Sequence, residues 1–157
     1  MPRKTDASAP TGSDIPCACA SARRAARAVT RLYDAHLRAA GIEGTQFALL
    51  SVLGSIGPCS QAAIGQRFAL DKTTLSRNLK LLRTKGWIDA APAEDGRERR
   101  VALSAVGRKR LEAARPGWRK AQEQLRRGMT RTEWEAMWNA FRIVTAAAQS
   151  ELEPTEV

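Results

Sequence analysis

Between Thr45 and Leu103 the chain is cut by caps and turns at intervals that allow only helices of a few turns, and its hydrophobic period then changes once, from helical to alternating. Thr45 stands as the N-cap of a first helix, in which Leu49, Leu53 and Ile56 recur at i, i+4 and i+7 with Phe47 and Leu50 beside them. Gly57-Pro58 stops it. Ser60 caps a short second helix with Ala63, Ile64 and Phe68 on its apolar side, and Asp71 caps a third that runs to about Lys85 and ends at Gly86. Beyond Gly86, the segments Trp87–Ala91 and Val101–Leu103 read as two short strands. The polar stretch between them, centred on Asp95-Gly96, makes them a β-hairpin with a long charged tip. Three short helices followed by such a hairpin describe a winged helix-turn-helix.

Helices flank this unit on both sides. Residues 1–16 are rich in Pro, Ser, Thr, Asp and Gly and are expected to form a disordered leader. Ala18 to Ala40 is free of Gly and Pro, reads as one helix, and is closed by Gly41. After the hairpin Ser104 opens a long helix in which Leu111, Trp118 and Leu125 recur every seven residues, with an interruption and a kink expected at Pro116-Gly117. Thr130 and Glu133 have the spacing of a capping box and start a last helix striped by Trp134, Met137, Trp138, Phe141 and Val144. The set Trp118, Trp134, Trp138 and Phe141 is too apolar for a free surface. About half of it is expected in the chain's own core and the rest against a second subunit. The organisation expected is therefore a leader (1–16), an N-terminal dimerisation helix (17–44), a winged helix-turn-helix domain (45–104), C-terminal dimerisation helices (105–152) and a tail (153–157). The fold class is mainly α with a small β-hairpin wing.

Charge narrows the function. Of the net +10 of the 157-residue chain, +7 falls in residues 60–110, while 111–157 are balanced. A concentrated positive field favours a polyanion, nucleic acid foremost, and a membrane surface or a ribosome would also accept it. Three cysteines, Cys17, Cys19 and Cys59, do not make a disulfide framework, and His36 is the single histidine. That excludes a histidine-rich metal site and any catalytic scheme needing a histidine pair, and no cofactor is expected. No apolar run reaches the ~20 residues of a membrane span and no apolar segment follows the charged N-terminus, so a cytoplasmic protein with no membrane partner is expected.

On the third helix Leu75, Leu79 and Leu82 share one face and would pack inward. Thr73, Arg77, Lys80 and Thr84 lie opposite, with Lys72, Thr74 and Ser76 at the N-terminal end; these suit major-groove edges and phosphates. Leu81 falls near this polar face, which the simple wheel does not explain. Arg97, Arg99 and Arg100 on the hairpin tip would reach phosphates or a narrow minor groove.

Asp71-Lys72-Thr73-Thr74-Leu75-Ser76-Arg77, followed by Leu82-Arg83-Thr84-Lys85-Gly86-Trp87-Ile88, resembles the recognition helix of MarR-family transcription regulators. The run from Asp95-Gly96-Arg97 through Val101-Ala102-Leu103 to Ser104-Ala105-Val106-Gly107 is similar to that family's wing, and Gly44-Thr45-Gln46-Phe47 to the start of its second helix. The resemblance spans roughly residues 19–150. It implies a homodimer with interlocking terminal helices on a palindromic operator, repression as the expected outcome, and a salt bridge from Asp95 that orients Arg97. It also implies a small aromatic ligand in the cleft between the dimer helices and the winged domain.

Cys19 falls where OhrR-type members carry a peroxide-reactive cysteine, and Tyr33 on a tyrosine that hydrogen-bonds the thiolate. The second such tyrosine is replaced by Gly44 and there is no C-terminal cysteine. Cys17, Cys19 and Tyr33 thus form a candidate oxidant sensor, with a buried, small apolar role the stronger expectation for Cys19. Cys59, beside Pro58 in a turn, is expected to be incidental. Two contrasting functions are a cysteine-based peroxidase, which would turn over peroxide with a thiol reductant, and a non-specific chromatin or RNA-binding protein, which would show no preferred duplex.

Overall fold

The computed structural model describes residues 17–92 and 100–150. Helix α1 (Ala18–Leu37) leads through a 3-10 turn, Arg38–Ala40, into α2 (Gly44–Ile56). Strand β1 (Cys59–Ser60), α3 (Gln61–Phe68), α4 (Lys72–Thr84), β2 (Ile88–Ala91) and β3 (Arg100–Leu103) follow, and α5 (Ala105–Arg127) and α6 (Arg131–Ser150) end the described chain. The three strands form an antiparallel sheet in the order β1-β3-β2, with Cys59 opposite Val101 and Ile88 opposite Leu103.

The caps act largely as the sequence predicts. Ser60 accepts from the Ala63 N–H, Ser104 from the Gly107 N–H, and Thr130 and Glu133 bond reciprocally at the start of α6. Helix α2 corrects the reading of Thr45. Its cap is Glu43, whose N–H donates to the Gln46 side chain at 3.3 Å while the Gln46 amide donates to the Glu43 carboxylate at 3.2 Å. Gln46 is buried while Glu43 is exposed, so the pair is shielded from water on the Gln46 side. The Gly44 N–H donates to Asp34 at 2.6 Å and ties α2 to α1.

The core is one cluster. Leu37 from α1, Phe47, Leu49, Leu50 and Leu53 from α2, and Ile64 from α3 meet Leu75, Leu79 and Leu82 from α4. Trp87, Ile88, Val101 and Leu111 close it. Cys59 belongs to this core as a buried residue of β1, which corrects its placement in a turn. A two-residue strand has too few positions for alternation to reveal it.

Helix α5 runs unbroken through Pro116-Gly117, where an interruption is expected from the sequence. Its backbone there lies against α1: a Cβ on Gly117 would stand 2.4 Å from the His36 carbonyl oxygen. The same seam carries the Tyr33 hydroxyl donating to Gln122 and a 2.7 Å bond between His36 Nε2 and Gln124. Close packing on α1 therefore supports α5 where the missing proline donor would otherwise end it.

Helix α6 is different. It buries no residue within its own chain, and Trp138, Phe141, Ile143 and Val144 are each about half exposed. Of the four aromatics in question, Trp118 alone joins the chain's own core, stacked on Phe47 at 5.9 Å. Trp134, Trp138 and Phe141 pack edge to face along α6. No single helix among the described residues is long and apolar enough to cross a membrane.

Candidate nucleic-acid interface

The site begins with Asp71. Its carboxylate accepts from the N–H groups of Thr73 and Thr74, both at 2.9 Å, and from the Thr74 hydroxyl at 2.7 Å. Those bonds, the Thr74 hydroxyl first, hold the Asp71 carboxyl below its usual range. A depressed folded value means that the cap is at full strength above the ordinary carboxylate range and weakens as pH falls through the folded value. The Thr74 hydroxyl is therefore committed to the cap, and Thr74 fixes the start of α4 instead of presenting a free donor.

Behind the cap, Leu75, Leu79 and Leu82 sink into the core and fix the rotation of α4. Lys72, Thr73, Ser76, Arg77 and Lys80 are consequently exposed on its outward surface. The turn from α3 to α4 is tight: Ala69 takes a left-handed φ of 49°, and the Leu70 N–H donates to the Gly65 carbonyl at 2.9 Å. A groove of about 560 Å³ runs between the two helices over Leu70 and Leu75, edged by Gln61, Gln66, Lys72 and Ser76. At the far end of α4, Lys85 lies over the Trp87 ring at 4.6 Å, and that cation is held against the domain.

The hairpin needs a correction. Arg100 is a residue of β3, not of the tip; it sits opposite Ser60 and Ala91 and donates from its guanidinium to the Pro58 carbonyl at 2.8 Å. It braces the β1 edge of the sheet. Whether a hairpin arginine is tip or strand depends on register, which alternation over three residues does not set. Asp95, Arg97 and Arg99, including the expected Asp95–Arg97 salt bridge, lie outside the described residues, as do the leader and the tail.

Cys17 and Cys19 are exposed at the start of α1, so the expectation that Cys19 is a buried apolar residue does not hold within this chain. Tyr33 lies fourteen residues further along the same helix, about 21 Å away at 1.5 Å per residue. The two do not meet in one protomer, and burial raises the Tyr33 phenol above its ordinary value. No group of three metal-ligating side chains occurs among the described residues.

A second cavity, of about 310 Å³, lies between α1, α2 and α5. The stacked Phe47 and Trp118 wall it, and Tyr33, Ser51 and Arg115 supply its polar groups. Sequence reasoning did not single out Ser51 or Arg115. Arg115 reads as one more solvated helix cation, and only the packing of three remote helices gives it a cavity.

Comparison with known proteins bears on this geometry. The sequence profile of the MarR family matches residues 40–98. The chain is 28% identical over 120 residues to the HTH-type transcriptional regulator YwoH of Bacillus subtilis (strain 168), covering 76% of this chain and 88% of that one. Its fold matches the M. tuberculosis transcriptional regulator MosR in complex with DNA, with 32% identity, a TM-score of 0.78, and coverage of 85% of this chain and 97% of that one. It also matches a probable transcriptional regulator from Pseudomonas aeruginosa, with 28% identity, a TM-score of 0.73, and coverage of 82% and 97%.

Proposed function

The chain belongs to the MarR family of transcriptional regulators, and from that premise we propose that it is a cytoplasmic repressor that binds a palindromic operator as a homodimer. Each protomer lays α4 in the major groove of one half-site of double-stranded DNA. The observation that carries this reading is the outward surface of α4, polar and exposed at Thr73, Ser76, Arg77 and Lys80, on a helix whose cap and core stripe fix its rotation. The MosR relative, solved in complex with DNA, supports it.

Footprinting the purified protein on DNA upstream of its own coding region tests the proposal. A protected palindrome is expected, preferred over bulk DNA by orders of magnitude. Equal affinity for all sequences would sink the operator reading and favour a non-specific binder. Arg77→Ala is expected to cost about 1–3 kcal/mol on that palindrome, with little change on random DNA, if its guanidinium meets a base edge. Uniform weakening on both duplexes would make Arg77 a phosphate contact only.

Release of the operator has two candidate triggers. The cavity walled by Phe47 and Trp118 suits a small aromatic ligand, with Arg115 and Tyr33 for its polar end. The exposure of Cys17 and Cys19 at the opening turn of a helix that packs on α2 and α5 favours thiol modification as the second. Cys17 is the extended N-cap residue and Cys19 the second residue of α1, so a bridge between the two thiols would have to reshape that opening turn to bring the sulfurs into bonding distance. Mild peroxide is then expected to release the parent protein, dithiothreitol to restore binding, and Cys19→Ser to stay bound in a mobility-shift assay. A parent that stays bound with modified thiols rules out the cysteines and leaves the cavity. Sustained peroxide turnover with a thiol reductant would point instead to a cysteine peroxidase.

A further inference from the structure

Leu81 is the one apolar side chain left exposed on α4, at 42% of its full accessibility. The chain's own packing does not require it: α4 rests on α3 and β2, and the stripe Leu75, Leu79 and Leu82 supplies the buried face. At about 100° per residue, Leu81 stands about 40° round the helix from Arg77, on the outward side with Thr73, Arg77 and Thr84. Every other exposed residue of α4 is a lysine, arginine, serine or threonine. Helix propensity gives leucine no advantage there, since Arg, Lys, Gln and Glu form helix about as well. An apolar group on a surface turned toward DNA adds to binding only where it meets an apolar partner, and the major-groove edge of the bases offers one kind, the C5-methyl of thymine.

We propose that Leu81 is a specificity-determining residue that reads a thymine methyl in each half-site. Arg77 lies one turn earlier on α4, about 6 Å along the axis, so this thymine stands within about two base pairs of the base that Arg77 meets. The inference rests on the reading that α4 enters the major groove, and it adds a contact that hydrogen bonding alone would not supply. It also accounts for a leucine at a position where a polar residue would be neutral for folding.

The test uses the full-length protein and a duplex selected with it from a randomised library, with each thymine then replaced in turn by deoxyuridine, which lacks only the methyl. At one thymine per half-site the replacement is expected to weaken the parent about fourfold, and about fifteenfold when both half-sites are changed, the size of one buried methyl group at each. Leu81→Ala is expected to lose the same factor on the thymine duplex and to be indifferent to deoxyuridine at that position. Leu81→Met is expected to retain the discrimination. Failure to select any preferred duplex would defeat the major-groove reading itself. A preferred duplex indifferent to deoxyuridine at every position would overturn the role of Leu81 and leave that reading standing. So would a deoxyuridine penalty as large in Leu81→Ala as in the parent, because another side chain would then read the methyl. Circular dichroism of both variants checks the fold, and an exposed position predicts parent-like spectra.

Discussion

Replacing Trp138 and Phe141 together by glutamate is expected to give a monomer that has lost its operator. Both side chains lie on α6, are half exposed (50% and 49%), and pack edge to face with a ring separation of 6.1 Å. Burying aromatic surface of this kind dominates the energetics of an interface, and a glutamate opposite its own symmetry mate in a two-fold contact adds like-charge repulsion. Helix α6 contributes no buried residue to its own protomer, so the core formed by α1 to α5 has nothing to lose directly. Light scattering is expected to fall to the 17.1 kDa of a single chain while the residues of the winged domain keep their helical signal. Operator affinity is expected to drop by roughly two to four orders of magnitude, the loss that follows when two linked half-site contacts become independent. A variant that remains dimeric would move the interface away from the α6 stripe. One that is monomeric yet binds the full operator as the parent does would defeat the paired half-site reading.

What was legible in the sequence and what was not follow a physical division. Caps and stops are local chemistry, so Ser60, Asp71, Ser104 and Thr130 place four helix starts correctly. The inward stripe of α4 is equally local, because Leu75, Leu79 and Leu82 need only helical periodicity to be assigned. Thr45 misled because its competitor is a reciprocal pair: Glu43 is an ordinary cap only once Gln46 reaches back to it from a buried position. Strand β1 and the seat of Arg100 depend on pairing across 42 residues, which no window of sequence contains. The cavity with Arg115 and Ser51 is more remote still, assembled by α1, α2 and α5. Leu81 stands between these cases. The helical wheel shows it out of place, and only its exposure in the folded chain turns that anomaly into a candidate contact.

Gly107→Ala is expected to be the most destabilising single methyl added to the fold. Gly107 sits in the first turn of α5, where its N–H donates to the Ser104 hydroxyl at 2.9 Å. Ser104 in turn donates from that hydroxyl to the Gly86 carbonyl at 2.7 Å and from its N–H to the Trp87 carbonyl at 3.1 Å. These bonds draw the start of α5 onto the backbone where α4 passes into β2, and a Cβ on Gly107 would stand 2.0 Å from the Trp87 oxygen and 2.8 Å from its carbonyl carbon. The obstacle is backbone beside a buried tryptophan, so no rotamer change relieves it. Either α5 lifts off and the Ser104 bonds break, or Trp87 and Ile88 leave the core. The expected cost is about 3 kcal/mol, the upper end for overpacking. In a chain of this size that lowers the thermal midpoint by about 10 °C. Gly128→Ala serves as the control, because its Cβ would meet nothing closer than 3.4 Å and its φ of −76° suits any residue. That variant is expected to melt within about 2 °C of the parent. If Gly107→Ala melts with it, α5 is not seated on Trp87, and the link from α4 through β2 to α5 is not made there. If it melts early as expected, the same contact explains why a glycine stands three residues past the Ser104 cap: the chain needs bare backbone where the long helix crosses the root of the wing.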